Sequence, residues 1–277
     1  MKKLRHLFSI PVMGTGHSID SPIRVAPFGI DSVISIVDDL LIEKIRKYYC
    51  ARLGFPYQNI PRTADDGRAR RITAYLNLVQ KIVTRKFEAI LDQPFFRQNE
   101  KARYFEMLPS ESPLRAAYDR LMLTKPGRNR DKLAAEVSRM MRPGSIDVNI
   151  MAKVDGLNYE KNGTPLSPEF SDANAALRGY ARSNLSSSLV LSAGFNPRLY
   201  NYLTEFPDFY RDEEGRIKKK IILKVSDFRS ALIQGKYLAK KGLEVYEYRI
   251  ESGLNCGGHA FATQGHLLPS LLREFRE

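Results

Sequence analysis

Residues 220–250 read KIILKVSDFRSALIQGKYLAKKGLEVYEYRI, and this stretch decides the fold. Its two ends, 220–225 and 245–250, are short and rich in β-branched and aromatic residues, which is typical of strands. Between them apolar residues recur at helical spacing, and Gly242 stands where a helix would end. A strand, a helix and a second strand in this order form a βαβ unit, whose two strands lie parallel. The sequence therefore predicts an α/β protein with a parallel sheet.

Three further strands are predicted on the amino-terminal side of this unit, at residues 22–27, 146–154 and 188–193. A helix over 32–53 is predicted to follow the first of them. Five strands are enough for a doubly wound sheet, whereas a closed (β/α)8 barrel needs eight. If the fold is a barrel, it is incomplete at Glu277.

The composition indicates a globular chain. It has 277 residues, of which 43% are hydrophobic and 27% charged, which excludes a disordered chain and a coiled coil. Two cysteines exclude a disulfide-rich scaffold. No apolar run approaches the roughly 20 residues of a membrane span, and the apolar stretch 7–13 is too short for a signal peptide. We expect a cytoplasmic protein with no membrane contact.

The excess positive charge lies in one part of the sequence. Lys and Arg number 44 against 31 Asp and Glu, a formal net charge of +13. Residues 42–145 hold 22 basic and 11 acidic side chains. Residues 1–41 hold four of each, and residues 146–277 hold 18 and 16. The two ends of the chain are therefore close to neutral.

The basic part of the sequence is predicted to be helical. Apolar residues recur at spacings of three and four over 69–91, and shorter helical patterns follow at 113–123 and 130–141. We interpret 55–145 as a basic helical insertion after the first βα unit. Its cations indicate either a solvated surface or contact of residues 42–145 with a polyanion such as RNA.

Residues that could bind a ligand or take part in catalysis lie at the predicted strand ends. Parallel α/β folds bind their ligands at this edge of the sheet. Ala26, Pro27 and Phe28 close the first predicted strand. Asn149 interrupts the apolar strand IDVNIM, and Lys224 interrupts KIILKV. As alternatives, Asn149 caps a loop and Lys224 forms an ion pair or reaches water.

The segment ESGLNCGGH, residues 251–259, directly follows the last predicted strand. Gly257 and Gly258 permit close approach of the backbone to a planar or phosphorylated ligand. His259 can exchange a proton at neutral pH. The alternative is a tight turn with a surface histidine, and Cys256 is either a nucleophile or a small packing residue. The cysteines and histidines lack the spacing of a zinc site, so no metal is expected.

Residues 253–259, GLNCGGH, followed by LLP at 267–269, resemble the G-x-E-A-G-G-H … L-P segment of the nitronate monooxygenases, or 2-nitropropane dioxygenases. The strand KIILKV, APF at 26–28 and VNIM at 148–151 are similar to other strand-end segments of that family. These enzymes are FMN-dependent (β/α)8, or TIM, barrels. The resemblance implies that this chain has the same fold, with the basic helices inserted after the first βα unit.

The resemblance also implies an FMN-dependent oxidoreductase that acts on a small-molecule substrate. In such an enzyme His259 would remove the proton from the carbon α to a nitro group, and electrons would pass to the flavin and then to oxygen. Donors near the flavin pyrimidine ring stabilise its reduced anion. The implied flavin-binding residues are Ala26, Pro27, Phe28, Asn149, Lys224, Gly257 and Gly258.

Two features depart from the family pattern. Asn255 and Cys256 stand where the family has Glu-Ala, and the long basic insertion is foreign to the simple barrel. The family also binds the FMN phosphate with glycine-rich loops after its last two strands, whereas one predicted helix follows Gly-Gly-His here. We therefore expect the amino-terminal part of a longer barrel, completed by a further segment or by a homo-oligomer. The alternative is an inactive truncated fragment.

Overall fold

The computed structural model describes residues 6–12, 18–160, 162–251 and 268–277. Within these ranges one sheet has six strands. They are β1 (Ser9–Ile10), β2 (Asp31–Ser35), β3 (Ile146–Met151), β4 (Ser188–Ser192), β5 (Lys220–Val225) and β6 (Val245–Ile250). Their order across the sheet is their order in the chain. The pairs β1–β2, β3–β4, β4–β5 and β5–β6 are parallel.

Helices connect these strands. They are α1 (Ser21–Val25), α2 (Asp39–Leu53), α3 (Gly67–Leu91), α4 (Glu100–Glu106), α5 (Pro113–Leu123), α6 (Arg128–Met140), α7 (Asp172–Ala181), α8 (Pro197–Tyr202), α9 (Phe228–Ala239) and α10 (Leu268–Arg276). From β3 onward each strand is followed by a helix, so the predicted α/β alternation is confirmed. No helix in the described ranges is both long enough and apolar enough to cross a bilayer.

The sequential strand order distinguishes between the two predicted architectures. A doubly wound sheet reverses its strand order at a switch point, and no reversal occurs in the six described strands. The crossover connections between parallel strands are right-handed. When the strand order advances in one direction across the sheet, the connecting helices therefore lie on one face, as they do in barrels. The described sheet is therefore compatible with part of a TIM-like fold.

The first predicted strand is wrong. Residues 21–25 form the helix α1, and Ala26–Phe28 form a 3-10 turn. Pro22 occupies the first turn of α1, where its fixed φ favours a helix and its missing N–H costs nothing. The strand of this region is β2, whose residues the sequence analysis assigned to the start of the next helix. That helix, α2, begins after Asp38, whose carboxylate accepts the Leu41 N–H at 2.9 Å.

The end of α2 is confirmed. Gly54 caps it with φ of 72°, a left-handed conformation that glycine adopts without a Cβ penalty. The strands β3 to β6 match their predictions within three residues, and β5 and β6 match exactly. Polar residues between these strands cap the helices that follow: Ser171 caps α7, and Asp227 caps α9.

The chain divides into two compact units. Unit 1 comprises Met1–Pro11, Asp20–Val33 and Val79–Ile146, and unit 2 comprises Val12–Ile19, Ile34–Leu78 and Asp147–Glu277. The apolar stripe predicted for α3 is confirmed, because Ile72, Leu76, Val79, Val83, Phe87 and Ile90 are all buried.

Unit 1 is built around a cluster of aromatic and aliphatic side chains from α3 to α6. The rings of Phe105 and Tyr118 stack with their centroids 4.3 Å apart, and Phe28 packs against the cluster. Gly144 donates its N–H to the Ala26 carbonyl oxygen at 2.8 Å. A Cβ at Gly144 would stand 2.0 Å from the Ile30 carbonyl oxygen, so no other residue fits the chain there.

Unit 2 holds strands β3 to β6, which have two chemically different faces. In a parallel sheet, residues paired in register project to the same side. One side carries only apolar and aromatic residues: the register joins Val148, Leu189, Ile221 and Val245 in one row, and Ile150, Leu191, Leu223 and Tyr248 in the next. Burial of this side stabilises unit 2. The opposite side contains charged and amide side chains.

Candidate functional site

The opposite side of strands β3 to β6 is the candidate site, and we name it the polar sheet face. Its central row joins Asn149, Val190, Ile222 and Glu247 by register. Strand alternation adds the remaining polar members on the same side. The polar residues of this face are Asp147, Asn149, Ser188, Ser192, Lys220, Lys224, Glu247 and Arg249.

The polar sheet face is concave. Arg249 Nη2 on β6 lies 3.5 Å from Asp147 Oδ2 on β3, with β4 and β5 between them. In a flat sheet the Cα atoms of these two residues would be about 19 Å apart. The distance across the sheet is three strand spacings of about 4.8 Å, and the perpendicular distance along the strands is four residues of about 3.3 Å each. This separation exceeds the length of the two side chains, so the sheet of unit 2 curls around this face. A concave face can surround a ligand.

Asn149 has the most unusual environment on the face. Its residue is 3% exposed, its carboxamide makes no hydrogen bond within the described part of the chain, and neither amide atom is among the fully buried unpaired ones. The carboxamide is therefore accessible to water or to a ligand, which would complete its hydrogen bonds. The neighbouring members of its row, Val190 and Ile222, are buried and apolar. Asn149 therefore presents an open donor and acceptor beside an apolar floor.

Lys224 lies at the carboxyl end of β5, as predicted. Its Nζ lies 2.6 Å from Glu251 Oε2, and the two side chains are 29% and 25% exposed. The ion pair that the sequence left open as an alternative thus exists. It directs the ammonium group to the rim, because Glu251 follows the last residue of β6.

The other charges of the face also form pairs. Arg249 Nε contacts Glu247 Oε1 at 2.6 Å in addition to its contact with Asp147. Asp147 accepts the Ser188 backbone N–H at 3.0 Å, which fixes its carboxylate. The three carboxylates Asp147, Glu247 and Glu251 equal in number the three cations Lys220, Lys224 and Arg249. Sites for strongly anionic groups carry an excess of cations, so this balanced face suits the uncharged part of a ligand.

Ala26, Pro27 and Phe28 belong to unit 1 and form the 3-10 turn, not a strand end. Ala26 is fully buried and its carbonyl oxygen accepts the N–H groups of Gly29 and Gly144. Their contact with a flavin stays a prediction. Gly257, Gly258 and His259 lie outside the described residues, and their predicted roles also stay predictions.

Six of the eight polar residues of this face were not predicted from the sequence: Asp147, Ser188, Ser192, Lys220, Glu247 and Arg249. The role of Glu251 beside Lys224 was not predicted either. Strands β3 and β6 carry the signal that identifies Asp147, Glu247 and Arg249. In IDVNIM and VYEYRI polar residues alternate with apolar or aromatic ones, and this period of two predicts a strand with one polar side. An interrupted apolar run identifies Asn149 in β3 and Lys224 in β5, but only the alternation identifies residues of β6.

Groups of three or more His, Cys, Asp or Glu side chains that could hold a metal ion do not occur in the described ranges. Comparisons of the chain with models of protein families, with curated proteins and with solved structures each gave no match. The argument about function therefore rests on the residues themselves.

Proposed function

We propose that the chain is an FMN-dependent oxidoreductase of the nitronate monooxygenase type, built on part of a (β/α)8 barrel. The observation that carries the proposal is the unpartnered carboxamide of Asn149 on a concave, half-apolar sheet face. Two of the residues implied by the resemblance, Asn149 and Lys224, lie on this one face of unit 2.

The donor set fits the ring system of a flavin. A flavin ring is flat and largely apolar, and its pyrimidine edge carries both hydrogen-bond donors and acceptors. Val190 and Ile222 offer an apolar surface, and the Asn149 amide offers one acceptor and two donors. Lys224 adds a cation near the same edge, which favours the reduced, anionic ring.

Bound FMN would supply the two-electron acceptor that protein side chains lack. Within this proposal Asn149 orients the ring, and Lys224, held at the rim by Glu251, provides positive charge. His259 removes the proton α to the nitro group of a small-molecule substrate.

Flavin binding tests the proposal directly. The full chain is titrated into FMN, and quenching of flavin fluorescence gives the dissociation constant. We expect the Asn149→Leu and Lys224→Met variants to weaken binding at least tenfold, which corresponds to about 1.4 kcal/mol each. The matched control is Lys240→Met, which removes an exposed cation just after α9 and outside the polar sheet face. Absence of quenching by the wild-type chain would refute the proposal.

Turnover is tested separately with His259→Asn. This variant is expected to bind FMN like the wild type and to lose oxygen consumption with a nitroalkane substrate. A variant that retains turnover would show that His259 is not the base.

A further inference from the structure

The positive charge of unit 1 is concentrated in a short stretch of its surface. Residues 79–119 hold seven basic and six acidic side chains, whereas residues 120–142 hold seven basic and two acidic ones. We name residues 120–142, which comprise the end of α5, a turn and α6, the basic segment. Its cations are Arg120, Lys125, Arg128, Arg130, Lys132, Arg139 and Arg142.

These cations are not neutralised by the protein. None of the seven forms an ion pair with a residue in the described ranges. Arginines of unit 2 behave differently: Arg46 pairs with Glu43, and Arg71 pairs with Asp39, all in buried positions. The part of the basic sequence that precedes residue 79 therefore uses some of its charge inside the fold. In the basic segment Arg130 is partly buried, with its guanidinium over the Phe96 ring, and the other six cations are exposed.

Helix α6 arranges three of these cations in a stripe. At about 100° per residue, Arg128, Lys132 and Arg139 lie within an arc of about 40°, and they are exposed. The rise of 1.5 Å per residue places them about 6 and about 10 Å apart along the axis. Leu133 and Val137, on the opposite side of α6, pack against the core cluster of unit 1.

The stripe is not neutralised within α6. Arg128 and Lys132 are four residues apart, and like charges at this spacing destabilise a helix. Glu136 stands four residues after Lys132 and three before Arg139, and it forms no ion pair with either in the described ranges. A linear polyanion along the stripe would supply the missing counter-charge to all three cations.

We propose that Arg128, Lys132 and Arg139 bind the phosphate backbone of RNA. A membrane surface fits less well, because a helix that lies on a bilayer needs apolar side chains free to enter it. The apolar side of α6 is instead packed in the core of unit 1. Guanidinium groups bind phosphate oxygens through two parallel hydrogen bonds, which suits the two arginines of the stripe. This inference concerns unit 1 and is independent of the flavin proposal.

The test measures binding of the full chain to a fluorescein-labelled 20-nucleotide RNA by anisotropy over a range of salt concentrations. The variant combines Arg128→Gln, Lys132→Gln and Arg139→Gln, which remove three charges and keep good helix formers. The matched control combines Lys44→Gln, Lys47→Gln and Lys240→Gln, three exposed cations of unit 2. Both triple variants have the same net charge.

We expect the wild type to bind RNA at low salt and the stripe variant to bind at least tenfold more weakly. The slope of log K against log salt should fall by about 2, because each phosphate contact on a single strand contributes about 0.7. The control should stay within twofold of the wild type. Equal losses in both variants, no binding by the wild type, or binding only to vesicles containing phosphatidylserine would each overturn the proposal.

Discussion

Lys224 Nζ lies 2.6 Å from Glu251 Oε2, so the cation proposed to face the flavin already has a carboxylate partner. The pair joins the carboxyl ends of β5 and β6, and both side chains are only partly exposed. A ligand at this rim must share Lys224 with Glu251 or displace the carboxylate. Glu251 therefore controls how much positive charge the site offers.

The first prediction follows from this competition. Glu251→Gln should lower the dissociation constant of FMN three- to tenfold, because Lys224 is released and a negative charge is removed from the rim. Flavin fluorescence measures the change. The control is Glu244→Gln, which breaks the exposed ion pair with Arg211 at the other end of β6 and should leave binding unchanged. Weaker binding by Glu251→Gln would show that Glu251 orients Lys224 rather than competing for it.

The second prediction concerns the unpaired amide of Asn149. Asn149→Leu should raise the free energy of unfolding by about 1 kcal/mol, because leucine buries apolar surface beside Val190 and Ile222 where the carboxamide makes no hydrogen bond to the described residues. Denaturant unfolding measures this change. The matched control is Asn196→Leu: the Asn196 amide nitrogen donates to the Ala152 carbonyl oxygen at 2.8 Å, and its Oδ1 accepts the Arg198 N–H at 3.1 Å. We expect that variant to be destabilised by about 1 kcal/mol. Equal destabilisation of both variants would contradict the argument.

The third prediction tests the contact that holds the curl of the sheet. Arg249→Met should lower the free energy of unfolding by about 2 kcal/mol, because the buried Asp147 carboxylate loses a cation. Adding Asp147→Asn should recover part of this loss, since the amide oxygen still accepts the Ser188 N–H and no buried charge remains. A double-mutant cycle from denaturant unfolding gives the coupling. Strict additivity of the two changes would mean that the contact contributes nothing.

The fourth prediction is a pH dependence caused by Lys219. This side chain is fully buried and donates to the carbonyl oxygens of Ser183 and Leu185 at 2.9 and 2.7 Å. Desolvation lowers its pKa from 10.5 to about 8, against the opposing attraction of Asp208.

The unfolded chain therefore binds more protons than the folded chain between pH 8 and about 10.5, and stability rises with pH in this window. The contribution of Lys219 to the free energy of unfolding should increase by about 3 kcal/mol across it. Lys219→Met should lack this increase, and subtracting the two pH profiles isolates it from other titrating groups. Parallel profiles would show that the pKa of Lys219 is not lowered.

Much of the carboxyl-terminal half could be predicted from the sequence, because each strand there is bounded by capping residues and glycines. The amino-terminal strands could not. In PIRVAP the β-branched residues favour a strand, but Pro22 in the first turn and the burial of Pro22 and Ile23 favour α1. The predicted helix over 32–53 included four residues of β2, whereas the helix begins only after its cap Asp38.

The site could be predicted only in part. Asn149 and Lys224 each interrupt an apolar strand and were found for that reason. Arg249 and Asp147 meet through the curl of the sheet, which depends on the packing of four strands and has no local signal in either strand. The exposed cations of α6 were predicted as a group. Separating these cations from the paired arginines before residue 79 requires the positions of Glu43 and Asp39 in the fold.

The close approach at Gly144 has a consequence for evolution. A single added carbon at this position would collide with the Ile30 carbonyl oxygen, and a main-chain atom cannot rotate out of the way as a side chain does. Any descendant or ancestor of this sequence that keeps the fold must therefore keep glycine here, whatever has happened to its chemistry. Glycine at position 144 is required by the backbone and by neither proposed activity. It can therefore indicate common descent even where the polar sheet face or the basic segment has changed. Relatives that have lost one of the two proposed activities would still carry it.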